Sequence, residues 1–597
     1  MDKITVKNSD WLFNCGILGL YNILKHNNVD DSDDMSLSQD ELTFSVSELD
    51  DFEEKYFSYL IDTYEKTFSI YRITSFEKFL QNHEESNYKN FNTQSLYRLN
   101  LQIEQVKRYL KSNSYVSAYK MLECEFDPAA KEKELKKVSL KKNETVFDKQ
   151  SEIKKQMDIL KETVEFFKHN KVRKYIGGKN AMYSIIRNAW TNISIMNIQN
   201  KKPDIYKEFS DYFVGPVKKY LDKTDRGKLN PKYRCVTCNG KIKNLDIDLN
   251  FMREIGFDVN RKTSNVWDFN NYVAICPVCR LVYACVPAGF TYLYNRGIFV
   301  NASMDLKEIM RINQNIKKEV LCDSKGGAVI YRALQKQMNR KINETPGYEL
   351  SDVQVIRFHH GPGSDNISYT FNIITKFILK TIENCDSCFE RIQNGRFSEG
   401  NTTIYLYDEV MNRLMNNENQ FLLIHKLMHY KLSMPDKAIY SMSMIENILK
   451  INAEYLREVG VMEKDDKDMI NIAKRHGYYL RDAYSDYGKK DNSSNAADVK
   501  SNDISNETNV KAKGTGYNKK LGSIAYRMLN ALKTNNKYAF MDTMINAHMY
   551  VQKAIPAIFA ENLENDLKFK NIGYAFVTGM IGYTYDKKGD EKGNEEN

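Results

Sequence analysis

Four cysteines of this 597-residue chain are arranged as two Cys-x-x-Cys pairs. The first pair is Cys235 and Cys238, and the second is Cys276 and Cys279, with 37 residues between the pairs. Thiolates at this spacing can share one ion, so the four residues predict a structural site for a single Zn²⁺ within a finger. Because four protein ligands leave no coordination position for a substrate, the site indicates a scaffold and not a catalyst.

Basic and aromatic side chains are concentrated just before the first cysteine pair. Between Val217 and Arg234, two tyrosines are interleaved with seven basic residues and only two acidic ones. The basic residues, which we call the basic stripe, are Lys218, Lys219, Lys223, Arg226, Lys228, Lys232 and Arg234. Cations contact phosphates and rings stack on bases, so the stripe predicts a nucleic-acid contact. An ordinary lysine-rich surface loop has the same composition, and both interpretations stay open.

A second candidate for phosphate contact is the glycine pair Gly177 and Gly178, followed by Lys179 and Asn180. We expect a loop here whose free backbone amides, together with Lys179 and Asn180, meet a phosphate. The Gly-x-x-x-x-Gly-Lys-Ser/Thr pattern is missing, so the segment does not support nucleotide hydrolysis.

Two further groups have the spacing of reactive sites. His425 and His429 stand four residues apart in an apolar helix, but without the glutamate of a zinc-protease motif they indicate core or surface histidines. Cys385 and Cys388 form a third cysteine pair with no partner pair. A redox dithiol and two unpaired thiols are both possible there, and without a thioredoxin-like βαβ context we favour unpaired thiols.

An assembled active site is not evident in the sequence. Asp204 suits the first acid of a restriction-type nuclease motif, but the next acid-x-Lys, Asp305 to Lys307, lies about a hundred residues further on. Since no nucleophile, base and orienting acid occur together, we expect a protein that is not an enzyme.

Composition sets the class of protein. The length predicts several domains, and 42% hydrophobic residues exclude global disorder. A net charge of +9 is modest for this size, so any nucleic-acid contact must come from local basic segments. The apolar run at 11–20 lacks the features of a signal peptide, and no run is long enough for a membrane span. We therefore expect a cytoplasmic protein without a membrane partner.

Local patterns predict an α+β multidomain fold. Residues 11–25 read as a helix whose small residues allow another backbone to approach, and Leu281 to Val286, Ile298 to Val300 and Val353 to Phe358 read as strands. The pattern becomes helical from about 430, with a helix start at Pro435, a flexible insertion at 488–520, and helices at 521–532 and 540–551. We expect a mixed α/β domain at 1–230, a zinc-finger insertion at 231–285, an α/β continuation at 286–430, and an α-helical bundle at 431–597.

Five phrases, in this order, resemble the large subunit of type I-B CRISPR Cascade complexes. They are Asp10-Trp11 with Gly16-Ile-Leu-Gly19, the two cysteine pairs, Gly477-Tyr-Tyr-Leu480-Arg481, Ser523-Ile-Ala-Tyr526-Arg527-Met-Leu-Asn530, and Gly573-Tyr-Ala-Phe576 with Gly579. The resemblance spans nearly the whole chain, and its weight comes from the order and spacing of the phrases. Asn546 stands where the family pattern leads us to expect a basic residue.

The resemblance implies a non-catalytic subunit that recognises the protospacer-adjacent motif in target DNA, helps to unwind the duplex, and stabilises the R-loop. It implies as partners the target duplex and its displaced strand, the CRISPR RNA, the Cascade backbone and guide-end-capping subunits, and the small subunit, with recruitment of a helicase-nuclease. It also implies that the C-terminal bundle resembles the small subunit. Two rival functions remain at this point: a metal-dependent nuclease, and an assembly scaffold that does not touch DNA.

Overall fold

The computed structural model describes residues 3–27, 35–122, 126–141, 144–196, 204–222, 229–254, 266–267, 270–271, 274–293, 296–302, 305–322, 332–337, 353–360, 367–400, 402–463, 466–494 and 519–593. The chain divides into two compact units. The first comprises Met1–Leu321 with Gln354–Phe371, and the second comprises Cys322–Val353 with Asn372–Asn597.

The first unit is mainly helical. Its helices are α1 Trp11–Asn27, α2 Phe52–Tyr64, α3 Ser69–Thr74, α4 Glu77–Glu85, α5 Thr93–Leu110, α6 Asn113–Tyr119, α7 Pro128–Glu134, α8 Gln150–Lys168, α9 Asn170–Ser184, α10 Ile205–Phe209, α11 Gly215–Leu221, α12 Pro277–Ala284, α13 Val286–Gly289 and α14 Leu306–Cys322. A π-helical turn at Ser210–Val214 joins α10 to α11.

Short strands accompany these helices. They are β1 Lys3–Lys7, β2 Met35–Leu37, β3 Glu41–Ser45, β4 Asn230–Arg234, β5 Lys241–Ile242, β6 Val266–Trp267, β7 Asn270–Asn271, β8 Thr291–Leu293, β9 Arg296–Ala302, β10 Val353–His360 and β11 Ile367–Ile374. Two sheets have the orders β1-β3-β2 and β11-β10-β9-β8, and two hairpins pair β4 with β5 and β6 with β7. Alternation of buried and exposed residues in β1 places one face of its sheet on the core.

Helix α1 lies at the centre of the first unit, and every residue from Leu12 to Leu24 is buried. Its glycines allow the backbones of α12 and α13 to come unusually close. A side-chain carbon at Gly19 would overlap the carbonyl oxygen of Cys285, and one at Gly289 would overlap the carbonyl oxygen of Cys15. Only glycine fits such a crossing. The prediction of a helix with a close-approach surface is therefore confirmed.

The second unit is built from helices with one small sheet. Its helices are α15 Lys376–Asn384, α16 Asp386–Ile392, α17 Leu406–Met415, α18 Phe421–Ser433, α19 Met442–Glu458, α20 Asp466–Ser494, α21 Lys519–Lys533, α22 Lys537–Tyr550, α23 Ala557–Glu561 and α24 Asp566–Gly593. Residues 332–337 are also helical. The sheet joins β12 Arg396–Glu399, β13 Thr402–Tyr405 and β14 Ala438–Ile439 in the order β13-β12-β14.

Close helix packing and a buried amide chain organise this second core. A side-chain carbon at Gly477 of α20 would overlap the carbonyl oxygen of Phe576, and one at Gly579 of α24 would meet the Lys474 backbone. The fully buried Asn452 side chain accepts from the Gln420 amide at 2.6 Å and donates to Asn571 at 3.1 Å. These bonds satisfy polar groups that would otherwise be costly to bury.

The predicted fold class is confirmed, with mixed helix and strand, a cysteine cluster, and a helical C-terminal region. The strands expected at Ile298 to Val300 and Val353 to Phe358 lie within β9 and β10, and the two last amphipathic patterns form α21 and α22. The division into four domains stays a prediction.

Three local predictions differ from the structure. Leu281 to Ala284 belong to helix α12 and not to a strand, because a short apolar run fits a buried helix equally well. Pro435 opens only a 3₁₀ turn, and the helix begins after Ser441, whose side chain accepts from the Met444 amide. Residues 488–494 continue α20, and 495–518 of the expected insertion lie outside the described residues.

Within the described part of the chain, no helix combines the length and the apolar character that a membrane crossing requires.

Candidate metal centre

The first cysteine pair follows strand β4 and closes a tight turn. The amide of Cys235 donates to the carbonyl of Gly240 at 2.8 Å, and the amide of Asn239 donates back to the carbonyl of Cys235 at 2.9 Å. Asn239 has a φ of 57°, in the left-handed region that asparagine tolerates. This turn lets the amide of Gly240 point at the Cys238 sulfur, 3.4 Å away.

The second pair stands at the start of helix α12. Cys276 is the N-cap, Pro277 occupies the first turn, and the amide of Cys279 donates to the Cys276 sulfur at 3.4 Å. Proline fits this position because its missing N–H is not needed in the first turn. Backbone bonds then join the two pairs, since Val236 donates to the carbonyl of Ala274 at 3.0 Å.

The four sulfur atoms all lie within 4.8 Å of one another. The Cys238 and Cys276 sulfurs are 3.7 Å apart, close to the ~3.8 Å edge of a tetrahedron with metal–sulfur bonds of about 2.3 Å. Three of the cysteines are buried and Cys238 is exposed. The cluster suits a metal ion, as the sequence spacing predicted, and its all-thiolate donor set is one that Zn²⁺ accepts.

Hydrogen bonding among the thiols stabilises negative charge on Cys235. Bonds from the thiols of Cys238, Cys276 and Cys279 lower the pKa of Cys235 well below its usual value. The same set of bonds raises the pKa values of Cys276 and Cys279, so an ion that binds all four sulfurs must displace the protons of these two thiols. Nearby, burial and then the charge of Cys276 raise the pKa of Tyr220 to about 12.

Contacts beyond the ligands connect the cluster to the core of the first unit. The Tyr283 hydroxyl lies 3.2 Å from that of Thr237 and donates to Asp10 at 3.4 Å. The guanidinium carbon of Arg280 lies 3.7 Å from the centre of the Tyr212 ring, a cation–π contact. Sequence reasoning missed these supporting residues. The Cys276–Pro277 pair could have predicted them, because it marks a helix start and so places Arg280 and Tyr283 one and two turns along α12.

The basic stripe begins in helix α11 and continues on strand β4. Lys218, Lys219, Lys232 and Arg234 are exposed, and Lys218 forms an ion pair with Asp50 at 2.7 Å. Arg234 also donates to the carbonyl of Asn239 at 3.3 Å. Lys232 and Arg234 are two positions apart on the strand and therefore share one face.

One tyrosine of the stripe connects it to the cysteine turn. The Tyr220 hydroxyl donates to the carbonyl of Lys241 at 2.8 Å. This hydrogen bond joins α11, which contains Tyr220, to β5. Lys223, Arg226 and Lys228 lie outside the described residues.

The phosphate loop predicted around Gly177 is wrong, because Lys174 to Asn180 lie within helix α9. Gly178 faces the side chain of Ile205, which explains the glycine by packing. Lys179 and Asn180 are both buried, and Asn180 accepts a hydrogen bond from the Ser69 amide at 3.1 Å. Neither side chain reaches a surface where it could meet a phosphate.

The isolated acids and histidines serve local structure. Asp204 and Asp305 each accept hydrogen bonds from backbone amides that follow them, as helix caps do. His425 is buried, and burial followed by the charge of Lys533 lowers its pKa to about 4. Over the described ranges, the four cysteines form the one group of three or more potential metal ligands.

Residues 228–291 match the model of the family described as CRISPR-associated protein (Cas_CXXC_CXXC). The matched segment contains both cysteine pairs, helix α12, and the β4–β5 hairpin. No curated protein and no solved structure matches the chain. The match indicates a CRISPR-associated protein with a CXXC zinc-binding motif.

Proposed function

We propose that the chain is the non-catalytic large subunit of a type I-B Cascade complex. The observation that carries this proposal is the coincidence of the CRISPR-associated match at 228–291 with a cluster of four sulfur atoms inside one 4.8 Å group. The order of the phrases along the chain, from Asp10-Trp11 to Gly573, is the reason for proposing the type I-B large subunit in particular. In this proposal, the ion held by the four cysteines is Zn²⁺.

In such a complex, base pairing with the guide RNA reads the target sequence, and the protein inspects only a short adjacent motif. The protein needs groove contacts for this inspection and cations for the displaced strand. The exposed stripe residues Lys219 and Lys232 suit that role, and Tyr220 attaches their segment to the metal-braced turn. A rigid support matters because groove reading depends on side chains held in place.

Residues 431–597, the helical C-terminal part of the second unit, would have a role like that of the Cascade small subunit. Its closely crossed pair α20 and α24 contains the Gly477 and Gly579 phrases of the resemblance. The C-terminal region supports the proposal because it is helical and because the phrases of the resemblance occur along it in the family's order. Stabilisation of the R-loop and recruitment of the helicase-nuclease belong to the same proposal.

The non-catalytic part of the proposal has its own support. A site with four cysteine ligands has no open position for a reacting water. Asp204 and Asp305, the acids of the nuclease hypothesis, are engaged as helix caps. The nuclease and scaffold hypotheses predict different results from the recognition hypothesis in DNA-binding and cleavage experiments.

A charge-reversal variant of the stripe tests DNA recognition. The substitutions Lys219→Glu and Lys232→Glu change exposed residues and leave the Lys218–Asp50 ion pair and the Arg234–Asn239 hydrogen bond intact. In reconstituted complexes, we expect at least ~10-fold weaker binding to target duplex and a shallower salt dependence, because phosphate contacts are lost. Electrophoretic shift over a salt series measures both.

The matched control carries Lys89→Glu and Lys111→Glu, which are also exposed lysines of the first unit, outside the stripe. The control should bind as the unmodified complex does. Equal binding by both variants, with assembly intact, would favour a pure scaffold. DNA cleavage by the isolated chain with added Mg²⁺ or Zn²⁺ would favour a nuclease. Loss of discrimination between targets with and without the adjacent motif, when the subunit is omitted, supports recognition.

A further inference from the structure

The third cysteine pair lies where helix α15 ends and α16 begins, in the second unit. The amide of Cys388 donates to the carbonyl of Cys385 at 2.8 Å, which places the two residues on the same side of one turn. The Cys385 side chain lies within hydrogen-bond reach of the Cys388 thiol. Cys385 is buried and Cys388 is half-buried, so only the second sulfur is accessible to a reagent.

The turn that contains the pair is held by neighbouring side chains. Asp386 accepts a hydrogen bond from Gln335, which in turn accepts from the Tyr407 hydroxyl at 2.6 Å. On the other side of Cys385, the Asn384 side chain donates to Glu454 at 2.7 Å. A fixed turn keeps the two sulfurs together and lowers the entropy lost when they bond.

The charges around Cys388 favour its thiolate. The hydrogen bond from Cys385 lowers the pKa of Cys388 to about 7, helped by the positive charges of Lys450 on α19 and Arg391 on α16. Glu446 of α19 forms an ion pair with Lys450 at 3.0 Å. Glu454 of the same helix forms one with Arg457, so neither acid is an uncompensated negative charge beside the sulfur.

Two buried thiols outside the Cys-x-x-Cys pairs, Cys15 and Cys285, behave in the opposite way. Burial raises the pKa values of Cys15 and Cys285 well above the ordinary thiol value. A low pKa, partial exposure and an adjacent second thiol distinguish reactive cysteines from structural ones. Among the described residues, this pair belongs to no group of three or more potential metal ligands, which separates it from the metal centre.

We propose that Cys385 and Cys388 form a reversible redox dithiol, oxidised by low-molecular-weight disulfides. The Cys388 thiolate attacks one sulfur of the small disulfide, forms a mixed disulfide, and releases one small thiolate. The Cys385 thiol then loses its proton and attacks the Cys388 sulfur, which releases the second small thiolate. The protein loses two electrons and two protons, and the small disulfide becomes two thiols.

Incubation of the full, zinc-loaded chain in buffers of oxidised and reduced glutathione tests the proposal. After acid quenching and alkylation, peptide mass spectrometry reports the state of each cysteine. We expect an intramolecular Cys385–Cys388 disulfide that reverts on addition of excess reduced glutathione. The variant Cys385→Ser should stop at a mixed disulfide on Cys388, because the second thiol is missing.

Reactivity towards iodoacetamide supplies a second measurement. Cys388 should alkylate with a midpoint near pH 7, because its thiolate forms above that pH. Cys385→Ser and Lys450→Met should each slow alkylation at pH 7, by up to about 10-fold if the thiol returns to its ordinary pKa. Zinc content measured in parallel shows that the metal-site cysteines remain bound.

Two results would overturn the proposal. One is a wild-type chain in which both thiols stay free in excess oxidised glutathione, or in which Cys388 remains a stable mixed disulfide. The other is a Cys388 alkylation midpoint at the ordinary thiol pH, unaffected by Cys385→Ser. The pair would then be two independent thiols.

Discussion

At the scale of residues, the four cysteines of the metal centre were predictable because the information is local. Two residues separate the thiols of each pair, Gly240 follows the first pair after Asn239, and Pro277 lies within the second. These local features favour turns in which the sulfur atoms face one another. Arg280 and Tyr283 were not predictable in the same way, since their partners Tyr212 and Asp10 are distant in sequence. The buried position of Lys179 also depends on tertiary packing, which a Gly-Gly-Lys-Asn phrase does not encode.

Replacement of the exposed ligand should remove the metal with little other damage. Cys238→Ser changes the one exposed cysteine of the four, so loss of burial contributes little. We expect about one zinc per wild-type chain and less than about half an equivalent in the variant, because oxygen is a poorer ligand than thiolate here. Elemental analysis of the purified proteins measures this.

The control is Cys388→Ser, a half-buried cysteine outside the cluster, which should keep a full equivalent of zinc. A wild-type chain that holds less than half an equivalent under reducing conditions would contradict the four-thiolate site. A full equivalent retained by Cys238→Ser would contradict this residue's role as a ligand.

At the scale of elements, glycines determine how closely helices cross. Both Gly16 and Gly19 of α1 face backbone atoms of the segment that contains α12 and α13, and Gly477 and Gly579 do the same between α20 and α24. The small residues on α1 predicted that another backbone approaches this helix, but they did not predict which segment of the chain it belongs to. The partner α12 was misassigned as a strand because eight residues are too few for a period to be recognised.

A methyl group at such a crossing should be far more damaging than the same group elsewhere. Gly19→Ala places a carbon against the Cys285 carbonyl, and the two backbones must separate. We expect a loss of about 1–3 kcal/mol or more in the free energy of unfolding, as for other overpacked cores. Thermal unfolding followed by circular dichroism measures the change.

Gly582→Ala is the matched control in helix α24. Its nearest neighbour would be the Met442 side chain at 3.6 Å, an ordinary contact, so helix propensity should leave the protein equally stable or up to about 1 kcal/mol more stable. Equal losses from the two alanines would show that the α1 crossing is looser than the structure indicates.

At the scale of the whole molecule, the chain contains two compact units, and all four metal ligands belong to the first. The family match covers only 228–291, so it characterises the region around these ligands. Several phrases behind the wider resemblance contain the crossing glycines Gly16, Gly19, Gly477 and Gly579. Part of the resemblance thus consists of residues that pack helices together, whereas the division into units depends on long-range contacts that no local pattern contains.

Removal of the metal should therefore affect the two units unequally. Metal binding is folding free energy for the segment that binds it, so chelation should lower the unfolding temperature of the first unit and leave the second nearly unchanged. Calorimetry with and without chelator measures the unfolding transitions. Hydrogen exchange at α12, in the first unit, and at α19, in the second, shows which unit unfolds in each transition. Added zinc should restore the first transition, and an equal shift of both transitions would contradict the prediction.

Helix α1 has a consequence for how the protein is made. It leaves the ribosome well before its partners α12 and α13, since the Cys15 thiol donates to the Val286 carbonyl 271 positions along the chain. At roughly 5–20 residues per second, that separation corresponds to about 15–55 s of synthesis. During this interval α2 can already pack against α1, but the face of α1 that meets α12 and α13 in the finished protein has no native cover. Nascent chains that end before α13 should therefore depend on chaperones for their solubility.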